Sequence, residues 1–435
     1  MSAIKLAKTG WRGMAMRGIF ANRWWVVAAT VLGLVVGAGP IYVFAFGVFL
    51  KPITAELGVG RGMFSSALTL HSTIGALACP VFGWMIDRWG VRRCMIPGLV
   101  LYTLGIAALA LIQASPFLVT YLIFGIAGLT SPIGGPIPYS TIIAQWFDRQ
   151  RGLALGIGMA GVGLGVALVP QLAAILIAHF GWRMAYVGMA AAVVVCAFVP
   201  VAFFVREPPD FAMRPQRGQS RGAALNLPGS GVGAALSSWL FWGLGIAFLL
   251  DVVAINGTLT HIVALLTDRG VALQAATAAL SGTGIALIAG RILSGWFLDR
   301  FWGPYVAVGF FVMPMLGIAM LASQAGGAAP FVGAICCGLG IGAEIDLMAF
   351  FTSRYFGLRN YAKIYGTMFG LFGFGVGIGP TLSGFSFDRF HSYTPIFVVY
   401  EIMLLVTCVI FLRLGPYPYP AGGHPPSGAA VKVAA

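Results

Sequence analysis

The chain is poor in charge. Only 9% of its 435 residues are Asp, Glu, Lys or Arg, against about 25% in a soluble globular domain. So few charges cannot clothe a water-soluble body of this size, which excludes an ordinary soluble enzyme. Acidic residues are scarcest, 12 against 26 Lys plus Arg. Cysteine is sparse too. The six (Cys79, Cys94, Cys196, Cys336, Cys337, Cys408) lie in or beside apolar runs without zinc or redox spacing. They read as small apolar fillers, and a disulfide scaffold is excluded. No nucleophile–base order or metal-ligand spacing emerges, so no enzyme, metal or cofactor is expected. The first apolar stretch, about Trp24 to Leu50, lacks a cleavage signature and exceeds a signal h-region, so it reads as a retained span.

Apolar sequence is abundant, at 59%. The 61 glycines and 24 prolines are scattered inside apolar runs, as transmembrane helices tolerate. A spanning helix needs about 20 residues. Spans are expected at about 24–49, 63–86, 94–112, 117–145, 151–178 and 182–205, then at 237–266, 274–298, 304–323, 330–353, 362–387 and 393–413. The expected class is an all-α polytopic membrane protein of twelve spans. Its organisation is a leading segment 1–23, a six-helix half 24–205, a linker 206–236, a second half 237–413 and a tail 414–435. From Pro416 the tail is rich in Pro, Gly and Ala and is expected to be disordered.

The net charge of +14 does not point to nucleic acid, because the charges sit in short clusters between apolar runs. With residues 1–23 on the cytoplasmic side, external segments hold only Lys51, Arg61, Arg183, Arg269 and Arg389. Arg291 lies within a span, and all other basic residues fall inside. This positive-inside bias predicts cytoplasmic termini, a multi-pass protein of a cell membrane (a bacterial inner membrane), and contact with anionic inner-leaflet lipids.

The halves repeat each other. Gly83-Trp84-Met85-Ile86-Asp87-Arg88 ends span two, and Gly295-Trp296-Phe297-Leu298-Asp299-Arg300 ends span eight, 212 positions later. Six spans per unit gives parallel repeats, an arrangement suited to a rocker that opens alternately to each side. Spans five and eleven are glycine-rich, with Pro170 and Pro380; small residues let moving helices approach closely.

The sharpest pattern is Gly83-x-x-x-Asp87-Arg88-x-Gly90-x-Arg92-Arg93, across the turn between spans two and three. It resembles the signature of the major facilitator superfamily at that place. The second copy keeps Asp299 and Arg300 but has Pro304-Tyr305 where basic residues trail the first. The resemblance implies that these residues gate, latching the conformations of the two halves. The alternative is a topology anchor alone.

A charge in mid-bilayer costs at least ~2.5 kcal/mol and faces a cavity or a partner. Arg291 is eight residues before Asp299, roughly 12 Å up the helix. Its fork suits a carboxylate substrate; the alternative is an ion pair with Glu344 or Asp346. Those two acids, two positions apart in span ten, point to different sides of the helix. With Asp251 of span seven they are the proton-coupling candidates, since substrate arrival near a buried acid alters its proton balance. His71, Tyr42, Tyr139 and Asn256 are further substrate-binding candidates, each with packing as the alternative. Tyr139 follows Pro136-Ile137-Pro138, where the helix loses bonds.

Trp24-Trp25, Phe46-Gly47-Val48-Phe49, Pro52, Arg61, Ser65, Arg151-Gly152-Leu153-Ala154 and Gly181-Trp182-Arg183 occur in an order that resembles the monocarboxylate transporter and oxalate:formate antiporter branch. In that branch a span-eight arginine recognises a carboxylate, and Arg291 is the matching residue. Leu287 stands where an acidic residue precedes that arginine in animal members, and span eleven has no lysine beyond Lys363 at its entrance. One central cation fits a monoanion. The resemblance implies a secondary transporter of small organic monocarboxylates, with proton symport by alternating access. Exchange of organic acids, drug efflux and a transporter-shaped receptor are the alternatives. The expected partners are the carboxylate, a proton and membrane lipids, and a monomer suffices.

Overall fold

The computed structural model describes residues 23–113, 117–147, 151–206, 229–323, 327–357 and 359–419. The segment 1–22, most of the linker and the tail from residue 420 lie outside the described residues, as does the side chain of Asp87.

The described chain is helical nearly throughout. Hydrocarbon offers no partner to backbone N–H and C=O groups, so each apolar stretch must satisfy its own. The helices are α1 (Trp24–Val35), α2 (Phe46–Leu57), α3 (Arg61–Trp89), α4 (Val91–Ala108), α5 (Leu118–Thr130), α6 (Pro136–Trp146), α7 (Arg151–Val193) and α8 (Val199–Phe204). After the linker come α9 (Val232–Leu236), α10 (Trp239–Asp268), α11 (Leu273–Leu298), α12 (Gly303–Ala322), α13 (Ala329–Phe356), α14 (Tyr361–Phe390) and α15 (Thr394–Leu412).

Among the described residues, eleven stretches are long and apolar enough to cross a membrane. One of them, Leu153–Phe204, has 52 residues, far more than the roughly 20 a crossing needs. It turns at Gly181, whose φ of 76° and ψ of 165° lie where only glycine sits without strain. Gly90, the central glycine of the signature, does the same between α3 and α4 with φ 89° and ψ 156°. The chain is thus an all-α, multi-pass membrane protein.

Three stretches expected as single spans are interrupted, one of them, 182–205, by a π-helix at Val194–Phe198 just before Pro200. The first passes through a π-helix at Gly39–Phe44 between α1 and α2, and continues to Leu57. The fourth passes through a 3-10 turn at Ser131–Gly134 before Pro136 restarts the helix. Proline lacks the N–H that the ladder needs, so Pro40, Pro132 and Pro136 account for the breaks in these two. The expectation of disorder from Pro416 is corrected at its first residues. The Tyr417 ring lies 4.1 Å from that of Trp302, its hydroxyl accepts from the Gly303 N–H at 2.9 Å, and the Tyr419 N–H donates to the Arg354 carbonyl. An aromatic side chain with a polar tip buries well beside a helix start.

Helices before the linker meet helices after it along two long seams, α3 on α14 and α7 on α11, and α2 also lies against α10, where Gly47 meets the Thr260 carbonyl. Both seams are closed at one end and open at the other. A Cβ added to Gly284 of α11 would fall 2.5 Å from the Gly163 carbonyl of α7, and one on Gly163 would strike Ile288. A Cβ on Gly377 of α14 would fall 2.5 Å from the Thr69 Cα of α3, and Gly384 lies as closely on Gly62. Towards the other end, Gly83, Gly156, Gly295, Gly366 and Gly370 have nothing within 4 Å of a Cβ position. The open end carries Arg88, Arg92, Arg93, Arg300 and Arg354, and is called the basic end below.

Candidate functional site

The closed end is held by ion pairs. Arg61, at the start of α3, places two guanidinium nitrogens on the Asp268 carboxylate at the end of α10, at 2.6 and 3.1 Å. Lys51 of α2 joins the same carboxylate at 2.8 Å. Arg61 also donates to the Tyr393 hydroxyl at 2.7 Å and lies over the Phe387 ring at 3.6 Å. Asp388 caps α3, accepting from the N–H groups of Arg61 and Gly62 at 2.9 and 2.7 Å; a carboxylate at a helix N-terminus satisfies free donors and complements the dipole. Buried His261 extends the network to Tyr393, Ser65 and the Pro380 carbonyl. Deeper in, Thr277, Gln171 and Ser281 bridge α11 and α7, and Thr69 bonds Thr381 and the Gly377 carbonyl. A cleft of about 510 Å³, lined by Lys51, Arg61, Asp388 and His391 among others, opens at this end. The closed layer separates it from Arg291.

Arg291 sits just below the point where the seams part. It follows Ile288, which lies against Gly163 of α7, by three positions, roughly 4.5 Å along the axis. Its Nε lies 3.3 Å from a carboxylate oxygen of Asp346 on α13, and both side chains are part-exposed, 23% and 38%. A part-exposed arginine that makes one ion pair retains hydrogen-bonding capacity for an incoming anion.

The acids divide as their spacing predicts. Asp346 faces Arg291 and open space, whereas Glu344 is buried within the second set of helices. Asp251 of α10 is buried beside Glu344, each within the other's field, and Arg291 acts on Glu344 as well. Among the described residues, neither Asp251 oxygen has a hydrogen-bond partner, and one Glu344 oxygen lacks one. The four groups form a chain from open space inward: Asp346, Arg291, Glu344, Asp251.

The remaining sequence candidates are not brought to Arg291. Tyr42 and His71 lie within the first set of helices, their rings 4.1 Å apart, with Tyr102 and Phe124 around them. Tyr139 is fully buried against Gly33, whose missing side chain makes the room. Among the described residues, the Tyr42 and Tyr139 hydroxyls and the His71 Nδ1 have no hydrogen-bond partner. Asn256 donates to the Val252 carbonyl of its own helix at 3.2 Å. At the basic end the two signature copies share a device: the Arg88 guanidinium lies 5.4 Å from the Trp84 ring, and that of Arg300 lies 4.1 Å from Trp296. Arg92 donates to the Ala202 carbonyl at 3.0 Å, tying α4 to α8. Arg93 is the third residue of α4, and Asp299 directly follows the last residue of α11.

Sequence reasoning missed the closed-end network as a functional element. Its signal was available: Asp268 and Asp388 are two of only 12 acids, and both sit at helix ends on the side poor in basic residues. Tyr365 was missed too; it stands within the fields of Arg291 and Asp346.

Comparison with known proteins agrees with this architecture. The family model of the Major Facilitator Superfamily matches residues 30–369. The oxalate:formate antiporter of Oxalobacter formigenes is 27% identical over 233 residues, about half of each chain (53% of this one, 52% of that). Monocarboxylate transporter 11 of Mus musculus is 24% identical over 372 residues, 80% of this chain and 77% of that one. Among solved structures, the nucleoside transporter NupG superposes with a TM-score of 0.71 at 13% identity, covering 90% of this chain and 98% of that chain; at that identity the likeness speaks for the fold alone. Among the described residues no group of three or more His, Cys, Asp or Glu is placed to hold a metal ion. The chain therefore belongs to the Major Facilitator Superfamily, is related to its monocarboxylate transporter and oxalate:formate antiporter branch, and is a secondary transporter rather than an enzyme.

Proposed function

We propose that the protein carries small organic monocarboxylates across a cell membrane, together with a proton, by alternating access. The observation that carries this reading is the part-exposed Arg291–Asp346 pair, which stands three residues beyond the Ile288–Gly163 contact, on the side of the basic end. An arriving carboxylate takes over the fork of Arg291 and releases Asp346. Arg291 then shifts its field away from Glu344, and the buried Asp251–Glu344 pair is the place where a proton joins or leaves. Two adjacent carboxyl groups in an apolar interior hold a proton between them more readily than two charges. A proton moving with a monoanion carries no net charge, so flux follows the proton gradient more than voltage.

In this reading the chain has twelve spans in two six-helix halves, because the stretch turning at Gly181 crosses twice. The linker 206–236 and residues 1–23 lie in the cytoplasm, as the distribution of Lys and Arg favours. The conformation seen is then the inward-open one. Binding shifts the population between this state and its outward-open counterpart. The membrane is a bacterial inner membrane, and Gly83, Asp87, Arg88, Gly90, Arg92, Arg93, Asp299 and Arg300 stabilise the alternate state, in which the basic end closes.

A second reading is exchange of organic acids, favoured by the likeness to a protein named as an antiporter. Internal pH in proteoliposomes separates the two. Acid added outside should acidify the lumen faster than in protein-free vesicles, and Arg291→Ala should abolish the excess. Labelled acid that exchanges without any pH change supports exchange instead. Flux that survives Arg291→Ala overturns the carboxylate reading.

A further inference from the structure

The space beneath Arg291 has an aromatic wall. Tyr361, Tyr365, Phe369 and Phe372 follow one another on α14 at intervals of four, four and three residues, which places them on one helix face. Their successive ring centroids are 5.6, 6.0 and 5.7 Å apart, with interplanar angles of 11°, 29° and 25°. This is an offset-stacked ladder, the arrangement that aromatic quadrupoles favour. Tyr361 is the first residue of α14, at the basic end, and Phe372 adjoins Gly373, where α14 comes against Ala76 of α3.

Three further observations place the ladder beside the anion site and leave it accessible. Tyr365 lies within the fields of both Arg291 and Asp346. Tyr361, Tyr365 and Phe369 are only half-buried. Gly366 and Gly370, each one position along from a ladder ring, have nothing within 4 Å of a Cβ position. Part-exposed rings within the field of an ion pair line a compartment, and pockets of this kind combine apolar walls with a few fixed polar groups.

We propose that this ladder is the second part of the substrate site and selects carboxylates that carry a flat aromatic or similarly large apolar body. The inference rests on the carboxylate reading above and adds the chemistry of the rest of the substrate. The carboxylate engages Arg291, the body lies along Tyr365 and Phe369, and the Tyr361 and Tyr365 hydroxyls meet polar substituents nearer the mouth. A two- or three-carbon acid reaches Arg291 but leaves most of the ladder uncovered, so it binds weakly.

Equilibrium binding to the purified full-length protein tests this, with benzoate, acetate and neutral benzamide as probes. Benzoate should bind at least about tenfold more tightly than acetate, the margin expected for ring contacts plus buried apolar area. Phe369→Leu, which preserves bulk, should erase most of that margin and leave acetate unchanged. Arg291→Ala should weaken both acids and leave benzamide unchanged. Equal affinity for benzoate and acetate, both dependent on Arg291, overturns the ladder and leaves the carboxylate reading intact. Benzoate and benzamide binding alike, with loss in Phe369→Leu but not in Arg291→Ala, overturns the carboxylate reading and retains an aromatic site. Absence of binding by all three probes overturns both.

Discussion

Arg61 and Asp268 meet across the closed end of the molecule through two N–H to oxygen contacts, of 2.6 and 3.1 Å, although 207 positions separate them in the chain. One belongs to the helices before the linker and the other to those after it. A bidentate pair of this kind fixes orientation as well as distance. With Lys51 and Tyr393 it forms a latch that must break if the closed end is to open.

Loss of the latch should shift the conformational balance. With cysteine introduced at Thr381, which bonds Thr69 across the seam at 2.5 Å, labelling by a membrane-impermeant maleimide reports opening at this end. Arg61→Ala and Asp268→Asn should each speed labelling by about five- to thirtyfold, the factor that 1–2 kcal/mol supplies. Unchanged labelling in both would show that the seam glycines, not the ion pairs, keep this end closed.

The glycines should differ sharply by position. Leu at Gly284 must displace the Gly163 carbonyl or the Ala167 backbone, whereas Leu at Gly156 enters open space. Overpacking costs about 1–3 kcal/mol. Thermal unfolding in detergent should therefore show a lower midpoint for Gly284→Leu and little change for Gly156→Leu. The reverse order would contradict the closed-end and open-end assignment.

Asp346 competes with any anion for Arg291. Asp346→Asn should tighten benzoate binding by roughly fivefold, since a part-exposed ion pair is worth up to about 1 kcal/mol. Turnover should fall at the same time, because the acid that displaces the product is gone. Weaker binding in Asp346→Asn would instead make Asp346 an organiser of the site. The measurement is a binding isotherm beside an uptake rate.

Acid should loosen one contact outside the spans. Glu56, at the end of α2, accepts hydrogen bonds from Arg183 and Trp182, just beyond the Gly181 turn. The Arg183 hydrogen bond foremost, then that of Trp182, holds its carboxyl below the ordinary value of 4.5. A depressed folded-state value means that the contribution is complete above the unfolded value and is lost as pH falls through the folded one. Thermal midpoints of the wild type and Glu56→Gln should differ at neutral pH and converge in acid. Because the group is exposed, the difference should be small. A gap that persists in acid would assign the effect to packing.

Much of this was legible in the chain itself. The spans could be read because hydrocarbon demands long apolar helices, and 151–178 and 182–205 could be read as two because one crossing needs only about 20 residues. The repeat of Trp84–Arg88 in Trp296–Arg300 was visible as sequence and recurs as the same ring-to-guanidinium contact. Arg291 and its acidic neighbours stood out because a charge within a span is costly. The breaks at Gly39–Phe44 and Ser131–Gly134 were harder to read: a proline shows that the ladder is interrupted, not whether the helix resumes.

Sequence alone therefore determined the class of the protein, its helical stretches and the few charges that must find partners, because the bilayer penalises every unsatisfied polar group. Which charges pair was a matter for tertiary structure. Arg291 chose Asp346 over Glu344, Arg61 found Asp268, and Tyr42 and His71 turned towards each other instead of towards the central space. Helical periodicity fixes the face a residue occupies on its own helix, but the neighbour on that face is set by the rotation and tilt at which helices pack. Those depend on contacts such as Gly163 against Gly284, whose partners lie more than a hundred residues apart.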